Sequence, residues 1–169
     1  MQRRIRRSLQ MTRLVGGLCA LAMMVSVRSR ADDVSDHHVP LLVKIAPDLS
    51  DEDVLAVADL VLELGLDGIV ATNTTISREG LVSEPAHVER VGAGGLSGAP
   101  LRTRAVGVLR LLRERVGPDL TIIAVGGIGD ADDARERLDA GATLLQAYTA
   151  FIYEGALWPS RVQRALARR

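Results

Sequence analysis

Gly68-Ile69-Val70-Ala71-Thr72-Asn73-Thr74-Thr75 passes from apolar to hydrogen-bonding side chains within one residue. Ile69 to Ala71 is a short apolar run that starts after a glycine and stops at four side chains able to donate and accept hydrogen bonds. Such a run reads as a buried strand. The polar cluster then falls at its C-terminal end, where parallel α/β folds place ligands. Asn73 is the only asparagine in the chain. The plainer alternative is a strand-to-loop turn, because Asn and Thr also favour turns.

The flanking sequence repeats the pattern. Upstream, Leu41 to Ile45 is an apolar strand that contains Lys44, and Ala46-Pro47-Asp48-Leu49 is a loop. Ser50 reads as an N-cap, with Asp51, Glu52 and Asp53 in the first helical turn, where carboxylates suit the helix dipole. Val54, Leu55, Val57, Ala58, Val61, Leu62 and Leu64 then form an apolar helical face, ended by Gly65. Downstream, residues 76–100 make a connection long enough to be functional or to carry small elements of its own. Leu101 to Val116 is a helix with apolar Leu101, Ala105, Val106, Val108, Leu109 and Leu112, stopped by Gly117-Pro118. Thr121 to Val125 is a third strand, closed by Gly126-Gly127. Asp130 or Asp132 caps a short helix to Ala140. Thr143 to Ala147 is a fourth strand, followed by Tyr148-Thr149, and a last helix runs from about Pro159 to Ala167.

Four strand–helix units in series imply an α/β fold with a parallel sheet covered by helices. They amount to half of an eightfold (β/α) barrel. A small open sheet is the structural alternative.

Composition narrows the chemistry. The chain has 169 residues, 47% of them apolar but only 2% aromatic, so aliphatic side chains fill the core. Nucleic-acid binding by aromatic stacking is not expected. A single cysteine, Cys19, excludes an internal disulfide and a cysteine-based metal site. His37, His38 and His87 lack metal-ligand spacing with carboxylates, so no metal is expected. Residues 1–30 hold seven of the 21 basic residues and none of the 21 acidic ones, which leaves the remainder at a net charge of −7. In that first segment, five arginines from Arg3 to Arg13 precede an apolar run, Leu14 to Val27, that is shorter than the ~20 residues of a comfortable membrane span. It reads as a membrane-surface anchor, as a false match to a secretory signal, or as sequence foreign to the domain behind it. Residues 31–39 read as a linker, and 40–169 as the folded region.

Each strand is followed by a glycine or polar cluster, and in a barrel all of these lie on one rim. If these are the last four strands, Gly126-Gly127 and Tyr148-Thr149 follow strands seven and eight. Barrels commonly hold phosphate there through backbone N–H groups that glycine leaves accessible. A glycine pair can also be only a tight turn. Lys44, the sole lysine, is costly within an apolar strand unless it meets an anion or snorkels to the rim. A cation directed at an anionic ring or intermediate is the functional reading. Asp48 and Asp51 to Asp53 read as a turn and a helix start.

Val43-Lys44-Ile45-Ala46-Pro47-Asp48-Leu49, Ala71-Thr72-Asn73-Thr74-Thr75, Gly94-Gly95-Leu96-Ser97-Gly98-Ala99-Pro100-Leu101, Val125-Gly126-Gly127-Ile128 and Tyr148-Thr149 occur in that order. Together they resemble dihydroorotate dehydrogenase, and the Lys-Ile-Ala-Pro-Asp-Leu form resembles its quinone-dependent, membrane-associated class. Other phosphate-binding barrel enzymes are not expected to share these clusters. The resemblance implies the C-terminal half, (βα)4, of a TIM-type barrel. It also implies FMN as cofactor and oxidation of dihydroorotate to orotate in pyrimidine synthesis, with quinone as acceptor, at the cytoplasmic face of the cell membrane. A cytoplasmic location follows instead if the first segment is no anchor. Carried over by motif, Lys44 contacts the flavin near N1, Thr72 touches the flavin, and Asn73 and Thr74 hold orotate. Gly98, Gly127, Tyr148 and Thr149 cradle the ribityl phosphate.

The resemblance leaves the family's first four strands without a counterpart in this sequence, and with them the serine base and the remainder of the orotate site. Ser50, Ser77, Ser83 and Ser97 do not lie in that serine's motif, so no catalytic base is assigned. The expectation is a half-barrel with little or no turnover alone. It could be a flavoenzyme that is intact only with a partner chain or by self-association of halves. The alternative is a non-catalytic fragment that binds phosphate or flavin.

Overall fold

A computed structural model describes residues 37–168 of the chain. The segment 1–30 and most of the 31–39 linker lie outside the described residues. The compact unit that carries the fold starts at Leu42. Strands β1 (Leu42–Ile45), β2 (Gly68–Ala71), β3 (Thr121–Val125) and β4 (Leu144–Gln146) alternate with helices. The helices are α1 (Asp51–Glu63), α2 (Pro85–Val91), α3 (Arg102–Val116), α4 (Ala131–Asp139), α5 (Thr149–Glu154) and α6 (Trp158–Ala167).

All three strand pairings are parallel and the spatial order is β1-β2-β3-β4. Every crossover therefore steps to the next neighbour in one direction. With crossovers of one hand, this winding places all the helices on one face. Burial agrees. Ile45, Ile69, Ala71, Ile122 and Ala124 are buried beneath the helices, whereas Lys44 and Leu144 are exposed on the other face. An open doubly wound sheet would reverse its strand order and cover both faces. The sheet is thus half of a barrel wall, with helices on one face, and the second face is the one a barrel turns inward.

Local chemistry accounts for the helix ends. The Ser50 Oγ accepts from the Asp53 N–H at 3.1 Å, and Asp130 caps α4 through the Asp132 and Asp133 N–H groups at 3.0 and 2.9 Å. The expected α3 face is buried in full. On α1 the buried stripe narrows to Val54, Ala58 and Val61, and Leu62 is exposed. Residues 54, 58 and 61 line up at helical spacing, and Leu62 falls on the edge of that stripe. The 76–100 connection carries α2 and a 3₁₀ turn, Ala99–Leu101. The short helix α5 occupies a stretch with no helical signal in the sequence.

Candidate functional site

The β2 end is held from both sides. The Thr72 N–H donates to the Val125 carbonyl of β3 at 2.8 Å, and the Asn73 N–H donates to the Ile45 carbonyl of β1 at 2.8 Å. The segment that leaves the sheet between its neighbours is therefore fixed by main-chain bonds, with the Ala71–Thr72 peptide in the cis form. Thr75 then pairs with Leu96 by two backbone hydrogen bonds of 3.0 and 2.8 Å, which brings the far end of the long connection back to the strand ends. Asp48 accepts from the Thr75 hydroxyl and from the Ile76 N–H, so the β1 loop joins the same assembly. Arg104 secures that loop from α3, donating to the Pro47 carbonyl at 2.9 Å and the Leu49 carbonyl at 2.5 Å.

These ties leave a cleft of about 430 Å³ at the C-terminal ends of the strands. Lys44, Thr72, Asn73, Thr74, Gly98, Gly127, Tyr148 and Thr149 all line it. Every residue singled out from the sequence is thus brought to one place. Lys44, Asn73 and Thr74 are exposed, Thr72 is buried, and Tyr148 keeps most of its side chain in solvent. The Thr72 Oγ1 is buried without a hydrogen-bond partner. A buried hydroxyl left unpaired is costly, so it marks a place where a ligand atom would be favourable.

The glycine turns that line the cleft are built of close backbone. Gly127 has φ +71°, and a Cβ there would lie 2.5 Å from the Arg102 Cα and 2.6 Å from its N. Gly98 has φ +86°, and a Cβ there would lie 3.2 Å from the Thr149 methyl. The Thr149 hydroxyl donates to the Ser97 Oγ at 3.0 Å, joining the start of α5 to the glycine loop.

A sequence model of the family described as dihydroorotate dehydrogenase matches residues 10–169. The chain belongs to the dihydroorotate dehydrogenase family. The dihydroorotate dehydrogenase (quinone) of Nocardioides sp. is 66% identical over 145 residues, covering 86% of this chain and 41% of that protein. That of Thermobifida fusca is 60% identical over 150 residues, covering 87% and 40%. Among solved structures, the Eimeria tenella dihydroorotate dehydrogenase in complex with ferulenol superposes with a TM-score of 0.71 at 42% identity, over 78% of this chain and 34% of that one. The chain spans about two-fifths of the length of the curated relatives it matches.

Three residues to which sequence reading assigned no role stand at or behind the cleft. Arg102 lines the cleft and donates to Asp133 at 2.8 Å. Asp133 is buried and also accepts from the Gly129 N–H at 2.8 Å. Arg137, completely buried, donates to the Arg102 carbonyl at 2.9 Å and the Gly126 carbonyl at 3.3 Å. Burial pushes its guanidinium below the usual arginine range, against the pull of Glu136 and Asp133. The available signal was the spacing of Asp133 and Arg137, four residues apart on one helical face that also presents the buried Ala134.

Proposed function

We propose that residues 40–169 form the FMN- and orotate-binding half of a quinone-dependent dihydroorotate dehydrogenase. In this reading turnover also uses the other half of the barrel, which these residues do not form. The observation that carries this reading is the convergence of the lone lysine, the lone asparagine and the glycine pair on one cleft. The relatives' names specify dihydroorotate dehydrogenase with a quinone acceptor, which supports the same substrates here.

The residues present fit a flavin mononucleotide. The unpaired Thr72 Oγ1 offers a hydrogen bond where a ring system would lie. In the neighbouring turn, a side chain at Gly127 would collide with the backbone of Arg102, so only glycine lets the turn pack there, and its main-chain N–H groups would serve a phosphate. Bound FMN would supply the hydride acceptor for oxidation of dihydroorotate to orotate. Lys44 places a positive charge at the end of β1, where it would favour negative charge on the ring. The Asn73 amide, a donor and an acceptor, and the Thr74 hydroxyl match the alternating carbonyl and N–H groups of orotate. No residue of the cleft is assigned the proton abstraction; in this reading the base belongs to the complementary half. A location at the cytoplasmic face of the membrane belongs to the same reading. Among the described residues no helix is long and apolar enough to cross a membrane.

The test is an assay of dihydroorotate oxidation with a quinone acceptor, run on the purified chain alone and with the first four strand–helix units of a close relative added. The reading expects negligible turnover alone and a gain on mixing. Enzyme-like rates from monomeric chain alone would contradict the need for a complementary half.

A further inference from the structure

The glycine cradle is backed by a charged pair that lies beneath it. Asp133 and Arg137 are both buried, one turn apart on α4. Arg137 holds two carbonyls, those of Gly126 and Arg102, and Asp133 holds the Gly129 N–H and the Arg102 guanidinium. The two side chains thus clamp the whole 126–129 turn against the first residue of α3. In a trans peptide the C=O and the following N–H point in opposite directions. Arg137 grips the Gly126 carbonyl from the core side, so the N–H of the same peptide, that of Gly127, faces the other way, toward the cleft that Gly127 lines. Asp133 meanwhile consumes the Gly129 N–H, which withdraws it from any anion in the cleft.

We propose that Arg137, with Asp133, is a positioning residue for the phosphate end of the cleft: it sets the Gly127 N–H as an anion donor without touching the ligand. This rests on the FMN reading above. A guanidinium completely removed from solvent costs more than a surface one, and here the Gly126 and Arg102 carbonyls and Glu136 offset that cost.

Equilibrium titrations of the full chain with FMN and with riboflavin, followed by flavin fluorescence, separate the two ideas. Riboflavin lacks the phosphate but shares the ring. Wild-type chain is expected to prefer FMN by at least tenfold. In Arg137→Met the FMN affinity falls about tenfold with riboflavin affinity unchanged, and Arg137→Lys recovers part of the preference. Asp133→Asn, which keeps the side-chain shape, lowers the preference less. Circular dichroism establishes that each variant is folded, and the lysine variant carries the test if the methionine variant is not. A preference unchanged in both Arg137 variants, or FMN and riboflavin weakened equally, overturns the positioning role. Wild-type chain that binds riboflavin as tightly as FMN overturns the FMN reading and the positioning role with it.

Discussion

Asn73 donates its N–H to the carbonyl of Ile45 at 2.8 Å, so the chain's only asparagine is tied to the residue that follows its only lysine. One backbone bond sets the distance between the two polar ends of β1 and β2. The Thr72 bond to Val125 fixes the third strand in the same layer. A cleft wall formed from strand ends in register needs little ordering on binding, which keeps the entropic cost of binding low.

Thr72 should show opposite effects on stability and binding. Its hydroxyl is buried and unpaired in the free protein. Thr72→Val is expected to stabilise the unliganded chain by about 1 kcal/mol in urea unfolding. The same variant should weaken FMN about fivefold, the equivalent of about 1 kcal/mol. Loss of stability without a change in FMN affinity would argue that the hydroxyl faces no ligand.

Gly127→Ala should be costly in both respects. The added methyl would meet the Arg102 backbone at 2.5 Å, and φ is +71°. A destabilisation of about 1–3 kcal/mol in chemical denaturation is expected, with FMN binding lost in any fraction that remains folded. Gly117→Ala is the control. Gly117 also has a positive φ, at +75°, but a Cβ there meets nothing within 4 Å, so it should carry only the conformational part of that cost.

Lys44→Met should act on the reduced state more than on the oxidised one. Lys44 is exposed on the open face of the sheet, so its removal leaves no buried charge unpaired and should leave unfolding unchanged. The midpoint potential of the bound flavin should fall by about 30 mV or more, a tenfold loss in a two-electron couple. Spectroelectrochemical titration measures it.

The Asp59–Arg115 pair gives a prediction on pH. Arg115 meets Asp59 through two bonds, of 2.5 and 2.7 Å, between α1 and α3. The hydrogen bond from Arg115 holds the Asp59 carboxyl below the usual carboxylate range, against the opposing effect of desolvation and with the help of the Arg115 charge. A carboxyl whose folded pKa is depressed adds stability above its unfolded pKa and loses it as pH falls through the folded one. The pair's contribution should therefore disappear only in acid, and it is small because both groups are exposed. An NMR titration should find Asp59 returning to the usual carboxylate range in Arg115→Met.

The alternation of strand and helix was legible because each strand is a continuous apolar run with a glycine or polar stop. That the eight proposed site residues share one cleft follows from strand ends collecting on one rim of a parallel sheet, with Gly98 brought there by the long connection; their roles rest on the resemblance. Exposure of Leu144 and Leu62 was not, because burial of an apolar side chain depends on what faces it, and periodicity carries no information about the opposite face. The Asp133–Arg137 frame was hidden for a related reason. The stretch Ala131-Asp132-Asp133-Ala134-Arg135-Glu136-Arg137 reads as a solvated charged helix, and only the turn at Gly126 to Gly129 shows that two of its charges point inward. The helix α5 was missed because it spans six residues, too few for an amphipathic period to emerge.

The most direct test of the central claim adds orotate to the FMN-loaded chain and follows the flavin absorption band. If Lys44, Asn73 and the glycine pair surround one bound FMN, orotate should bind saturably and shift the band to longer wavelength, and Asn73→Ala should abolish the shift while FMN stays bound. A chain that fails to retain FMN, or a band indifferent to orotate, would contradict the account.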